Sequence, residues 1–186
     1  MDDLILTDKF ERFEQARFDR RQRKDSLTFS EYLSNGTYVI LESSEEGKYY
    51  EATPKDSYYK LVKAYYPSGR IRAKGWAYID YFQKGVWYGF DDGGNLIAND
   101  NYDKPFPFTF EDVLKFCQRN NIKVERGHSE AGAAWTTRIL RGGAEGDECW
   151  SIEHMRFDGK GIIETIYLNG KTGKEIRRDS MQYRPG

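Results

Sequence analysis

Only two cysteines, Cys117 and Cys149, occur in 186 residues, too few for the disulfide framework that staples small secreted domains. They are expected as buried free thiols, since free cysteine behaves as a small apolar residue, with a bond between them left open. Histidine is as scarce: His128 and His154 leave imidazole chemistry few candidates. Neither falls in a His-Glu-x-x-His spacing and the cysteines form no Cys-x-x-Cys pair, so no metal and no cofactor is expected. No apolar run approaches the ~18 residues of a membrane span, and the opening Met-Asp-Asp-Leu-Ile-Leu lacks the basic and apolar regions of a signal peptide. The expected compartment is the cytoplasm as the sequence is written, or the periplasm or a lipoprotein anchor if a signal has been removed. A formal net charge of −1 provides no large attraction to nucleic acid or to an anionic membrane.

Aromatic residues are plentiful, with fourteen tyrosines and eleven phenylalanines. Aliphatic residues are sparse and about a third of the chain is charged. That balance suits two-faced antiparallel sheets better than a helical bundle, because aromatic side chains fit a half-buried pleated surface. The basic run Arg17, Arg20, Arg21, Arg23 and Lys24, following Phe10, Phe13 and Phe18, reads as a solvated face or linker.

Along the chain, Asp8 to Lys24 reads as a short helix whose apolar stripe fades among the arginines. Thr37–Leu41 and Lys48–Thr53 form a hairpin across Glu45-Glu46-Gly47. Tyr58–Tyr66, Arg70–Ala77, Val86–Phe90 and Leu96–Ala98 then lie down as a meander. Its turns are Pro67-Ser68-Gly69, Gln83-Lys84-Gly85 and Asp91–Asn95. Pro105 and Pro107 make Asp103–Phe108 a connector. Thr109 caps the clearest helix, with Asp112 completing a capping box and Phe110, Val113, Leu114 and Cys117 on one face. Strands follow at Ala134–Leu140, Cys149–Phe157, Ile162–Leu168 and Lys174–Arg178, separated by a glycine-rich loop and by turns at Asp158–Gly161 and Asn169–Gly173.

An internal repeat runs through these hairpins. Tyr66-Pro-Ser-Gly69-Arg-Ile-Arg and Phe90-Asp-Asp-Gly93-Gly-Asn-Leu-Ile-Ala share an aromatic strand end, a glycine-closed turn and an alternating strand; Tyr167 to Ile176 is a looser copy. Tyr65-Tyr66-Pro67-Ser68-Gly69-Arg70-Ile71 with Gly75, and Gly85-Val86-Trp87-Tyr88-Gly89-Phe90-Asp91-Asp92-Gly93, resemble the bacterial MORN-repeat variant of toxin-antitoxin and immunity proteins. The match covers about a quarter of the chain, and Pro105 to Val124 is similar to segments that follow such repeats in immunity-like proteins. The resemblance implies binding of a partner protein, with neutralisation of a cognate toxin or secreted effector as the role, and no catalytic residues. Only two good copies are present, which excludes a long array.

Other chemistries find little footing. Gly142–Gly146 lacks a following Gly-Lys-Ser/Thr, and its acidic residue opposes phosphate. The pairs Glu45-Glu46 and Asp91-Asp92 sit in turns, where nothing fixes a glycosidase separation. A cysteine with His154 could assemble in space, but Cys117 lies on an apolar helical stripe and Cys149 begins a strand, so packing is the expectation. Arg70, Arg72, Lys74, Trp76 and Tyr78 interleave basic and aromatic residues as a nucleic-acid platform does; a solvated strand is the plain alternative, and protein interfaces enrich the same types.

The sequence thus predicts an α+β fold: a mostly antiparallel, twisted β-sheet of MORN-like hairpins with one packed helix. The expected segments are 1–56 (helix and hairpin), 57–104 (repeat hairpins) and 105–186 (helix and C-terminal hairpins), within one body. The expected activity is non-enzymatic binding of a toxin through Arg72, Lys74, Trp76, Tyr78, Trp87 and Tyr88, with Asp91 and Asp92 facing a basic partner. The alternative is a small-ligand or cell-envelope scaffold without catalysis.

Overall fold

The computed structural model of the chain describes residues 4–21, 27–79, 82–128, 137–143, 148–156 and 161–183. Arg23, Lys24, the strand start at 134–136, most of the glycine-rich loop at 144–147 and the turn at 158–160 lie outside the described residues. Two units are formed: Met1–Tyr102 with Arg126–His128, and Asp103–Glu125 with Ser129–Gly186.

The first unit holds α1 (Gln15–Arg21) and seven strands: β1 (Thr28–Tyr32), β2 (Tyr38–Ser43), β3 (Lys48–Thr53), β4 (Tyr59–Tyr65), β5 (Ile71–Tyr78), β6 (Phe82–Phe90) and β7 (Leu96–Asn101). They form one antiparallel sheet in chain order, so the anticipated meander of β4 to β7 is present. β1 was not anticipated, because Thr-Phe-Ser-Glu-Tyr carries little apolar signal. The turn expected at Gln83-Lys84-Gly85 is instead internal to β6. There the pairing with β5 slips between Lys74 and Trp76, with Gly85 at φ 63°; the glycine relieves a bulge, and the chain reverses between Tyr78 and Phe82.

One face of this sheet carries the core: Val39, Leu41, Tyr50, Ala52, Leu61, Tyr65, Ile71 and Phe90. The N-terminal segment covers it with Leu4, Leu6, Phe13 and Phe18; among its described residues, 4–21, the helix spans Gln15–Arg21. The preceding stretch is irregular, with one isolated antiparallel bridge between Arg12 and Arg70, and is tied to the β4–β5 hairpin: the Phe13 N–H donates to the Gly69 carbonyl at 2.8 Å and the Ile71 N–H to the Glu11 carbonyl at 3.1 Å.

The second unit holds α2 (Phe110–Arg119) and the strands β8 (Arg138–Gly142), β9 (Cys149–Met155), β10 (Ile162–Asn169) and β11 (Glu175–Gln182), in the antiparallel order β11-β10-β9-β8. The capping box is formed: the Asp112 N–H donates to Thr109 Oγ1 and the Thr109 N–H to Asp112 Oδ2, each at 3.2 Å. Phe110, Val113 and Cys117 are buried, and the Phe110 ring lies 6.1 Å from that of the fully buried Trp150 on β9. The fold is thus mostly antiparallel β with few helices, in two sheets where one was expected.

The repeat is visible as backbone geometry. In β4–β5, Tyr65 opposes Ile71 and Ala64 opposes Ala73, leaving Arg72 as an extra residue. In β6–β7, Phe90 opposes Leu96 and Gly89 opposes Ala98, leaving Ile97; in β10–β11, Leu168 opposes Glu175 and Tyr167 opposes Arg177, leaving Ile176. All three extra residues are exposed, as a bulge that bends its strand outward produces. The turn glycine matching Gly69 (φ 78°) is Gly94 (φ 93°), one residue beyond the Gly93 that the sequence aligns with it. In each turn the glycine N–H donates three residues back, to the Tyr66 and Asp91 carbonyls at 2.8 and 3.0 Å.

A charged cluster pins the N-terminal cover. Glu11 lies 2.9 Å from Lys63 Nζ and 3.2 Å from Lys74 Nζ, and Lys74, 2 % exposed, also donates to the Lys9 carbonyl at 2.6 Å. Burial pushes the Lys74 amine below its ordinary range, against the pull of Glu11. Removing Glu11 leaves two ammonium groups facing each other, whereas removing Lys74 leaves a Glu11–Lys63 pair. Glu11→Ala is therefore expected to cost about 2 kcal/mol in urea unfolding and Lys74→Met less than about 1 kcal/mol; equal losses would contradict this asymmetry.

Tyr65 adds a pH dependence. Burial, reinforced by the charges of Glu11, Tyr50 and Glu14, raises its phenol well above the usual range. A folded-state pKa above the unfolded value gives stability present below about pH 10 and lost as pH rises beyond it. Tyr65→Phe should therefore flatten the alkaline fall of the urea midpoint above pH ~10; an unchanged slope would place the sensitivity elsewhere.

Candidate functional site

The eight residues singled out in the sequence are divided between the two faces of the first sheet. Lys74, Trp76, Tyr78 and Tyr88 are on the core side. Leu61 opposes Trp76, Tyr59 opposes Tyr78 and Lys74 opposes Tyr88; Trp76 and Tyr88 pack against the core cluster, while Tyr78 is buried and stacks on Phe82 at 5.3 Å. Arg72 and Trp87 belong to the second face. Arg72 is exposed, with Nη2 3.4 Å from the Tyr49 hydroxyl. Strict alternation along β5 does not anticipate this division, because the bulges shift the parity of side chains.

Trp87 owes its position to Gly75. A Cβ on Gly75 would stand 2.3 Å from the indole, so only glycine lets the ring lie flat on β5; the indole Nε1–H then donates to the Trp76 carbonyl at 2.7 Å. Tyr102 meets the same ring edge-on at 6.4 Å. One register row crosses this face as Tyr49, Ala64, Ala73, Gly89 and Ala98. The result is a low floor of small residues, bounded by Tyr49 with Arg72 on one side and by Trp87 with Tyr102 on the other.

Asp91 and Asp92 build the turn between β6 and β7. Asp91 accepts from the Asn95 backbone N–H at 2.8 Å and from Asn95 Nδ2 at 2.9 Å, and these bonds hold its carboxyl below the usual carboxylate range. Asp92 Oδ1 accepts from the Ser68 hydroxyl at 2.9 Å, and its carbonyl accepts from Arg70. With the Tyr66 hydroxyl donating to the Phe90 carbonyl at 2.9 Å, the two repeat turns are tied side by side.

The second unit contains an arrangement the sequence did not single out. A half-open cleft of about 460 Å³ is lined by Asn120, Asn121, His154, Met155, Arg156, Glu164 and Arg178. His154 and Glu164 are direct cross-strand partners, with Nε2 3.3 Å from Glu164 Oε2. Arg178 donates to the same oxygen at 2.8 Å and grips Glu175 at 3.0 and 2.9 Å. This guanidinium holds the Glu175 carboxyl below its usual range. The residues come from three strands and the end of α2, so no local spacing announces them. Among the described residues no cluster of three or more potential metal ligands exists.

Cys149 and His154 differ in parity along an unbroken β9, which places them on opposite faces of the second sheet. Both cysteines are free. Burial raises the Cys117 thiol to about 12, so it stays protonated and inert.

No protein-family model matches the chain, and no curated protein or solved structure matches it either. Among the described residues no helix is long and apolar enough to cross a membrane.

A thiol-specific disulfide reagent at neutral pH should label one cysteine of the native protein, the half-exposed Cys149, and reach Cys117 only on unfolding. Rapid labelling of both would contradict the burial of Cys117.

Proposed function

We propose that the chain is a non-catalytic binding protein of the immunity or antitoxin type, which neutralises a cognate toxin or secreted effector by occupying its surface. The observation that carries this reading is the second face of the first sheet. Aromatic side chains stand there around a floor of small residues, with Trp87 held by its hydrogen bond to the Trp76 carbonyl and by its contact with Gly75, and with exposed Arg72 beside Tyr49. Rigid tyrosine, tryptophan and arginine at the centre of a surface are the residue types that dominate binding energy at protein interfaces. The likeness of the β4 to β7 segment to MORN-type immunity proteins supports the same reading.

The roles of the residues follow from their placement. Trp87, Tyr102, Tyr49 and Arg72 supply the contact; Lys74, Trp76, Tyr78 and Tyr88 keep the sheet stiff from the core side; Asp91 and Asp92 rigidify the turn. A second reading, small-ligand binding, is favoured by one feature, the polar cleft around His154, Glu164 and Arg178.

The test is capture of a partner from the native source with this chain as bait, followed by co-expression. The captured protein, expressed alone, should arrest growth, and the wild-type chain should restore it. Tyr49→Ala combined with Arg72→Glu should retain the wild-type melting temperature and weaken binding by at least about tenfold. A partner harmless on its own, or full rescue by the double variant, would overturn the reading.

A further inference from the structure

We propose that the cleft around His154 and Glu164 binds a small, neutral, polyhydroxyl compound with the chemistry of a sugar. This inference deepens the small-ligand reading of that cleft and is independent of any toxin. At about 460 Å³, the cleft falls within the range of small-molecule sites, roughly 300–1,000 Å³. β9 and β10 bring His154 and Glu164 to it as cross-strand partners, only 9 % and 8 % exposed. Asn120 and Asn121 come from the end of α2.

The charges at the cleft do not favour a charged ligand. Arg178 is engaged through all three of its nitrogens: Nη1 donates to Glu164 at 2.8 Å, and Nε and Nη2 donate to Glu175 at 3.0 and 2.9 Å. Its planar fork is therefore already spent on carboxylates of the chain. Arg156 is exposed and has an interaction of its own. Arg156 and Arg178 balance Glu164 and Glu175, which leaves no net field to draw in an anion or a cation.

What remains unused at the cleft is a mixed set of donors and acceptors. Both bonds to Glu164 fall on Oε2, so Oε1 has no partner among the described residues. His154 is bonded through Nε2 alone; in the neutral imidazole, an Nε2–H directed at Glu164 leaves Nδ1 as an acceptor. Neither atom is sealed from solvent. The Asn121 side chain, also without a hydrogen bond among the described residues, adds one acceptor and two donors. Its φ of 56° is a conformation glycine adopts most easily; asparagine tolerates it and brings an amide that glycine would lack. A neutral site with free acceptors and a few donors suits hydroxyl groups, each of which donates and accepts without carrying charge. An ammonium would meet the two arginines, and a carboxylate would meet Glu164.

Amide and imidazole NMR spectra of the full chain test this, with D-glucose, D-galactose and N-acetyl-D-glucosamine as probes up to about 50 mM and sulfate as the anionic probe. At least one sugar is expected to give saturable shifts at Asn120, Asn121 and His154, with a dissociation constant on the order of 1 mM. Asn121→Gly keeps the backbone conformation, removes the amide and should weaken that binding by about fivefold. An unchanged melting temperature qualifies the variant. If it fails to fold, His154→Phe, which removes Nδ1 but leaves Glu164 its bond to Arg178, takes its place with the same expected loss. Saturation by sulfate and by no sugar overturns the polyhydroxyl assignment alone and leaves a ligand cleft; no saturable response to any probe overturns both. Sugar shifts that fall instead on Tyr49, Trp87 and Tyr102, or sugar binding that the qualifying variant leaves unchanged, also overturn the proposal.

Discussion

The first unit depends on covering one apolar sheet face with a segment that has little regular structure of its own. Seven strands in chain order create a broad apolar surface centred on Leu41, Leu61, Ile71 and Phe90. Phe13 and Phe18 shield it, and α1 is too short to hold itself in place by helical propensity. What holds it is a combination of backbone bonds to the β4–β5 hairpin and the carboxylate of Glu11 set between Lys63 and Lys74. Those lysines, on a strand face that otherwise packs, make sense only as counter-charges for this cover.

With one face committed, recognition falls to the other face. The bulged hairpin provides it. Each bulge reverses the parity of side chains after the turn, so the same strand can deliver Ile71 or Leu96 to one side and Ala73 or Ala98 to the other. The small residues gathered in one row leave room for Trp87 and Tyr49 to project without being swallowed by neighbours. The extra residue of each bulge points outward, as Arg72, Ile97 and Ile176 do.

The second unit is built on the same hairpin with a different balance. α2 supplies Phe110, Val113 and Cys117 to a core around Trp150, and the indole Nε1–H donates to the Phe108 carbonyl at 2.9 Å. On the face that carries Trp150, Ile152 and His154, the packing gives way toward the strand end to the linked His154, Glu164, Arg178 and Glu175. Such a network orders the cleft walls, because Glu164 cannot move without releasing both a histidine and a guanidinium.

Much of this was determined by the sequence. Turn glycines with alternating strands dictate the β4–β7 meander and the repeat, and Thr109 with Asp112 and the apolar stripe behind them dictates α2. These are local signals, carried by backbone preference and side-chain periodicity within a few residues. The tertiary structure decided the rest. Gly85 reads locally as a turn but became a bulge, because cross-strand pairing between β5 and β6 continued past it. Lys74 and Tyr78 read as exposed, yet lie inside, because bulges invisible to a strict period of two moved them to the face that the N-terminal segment covers. The His154 cleft joins residues from three strands and a helix end, and only the register of β9, β10 and β11 brings their charges together.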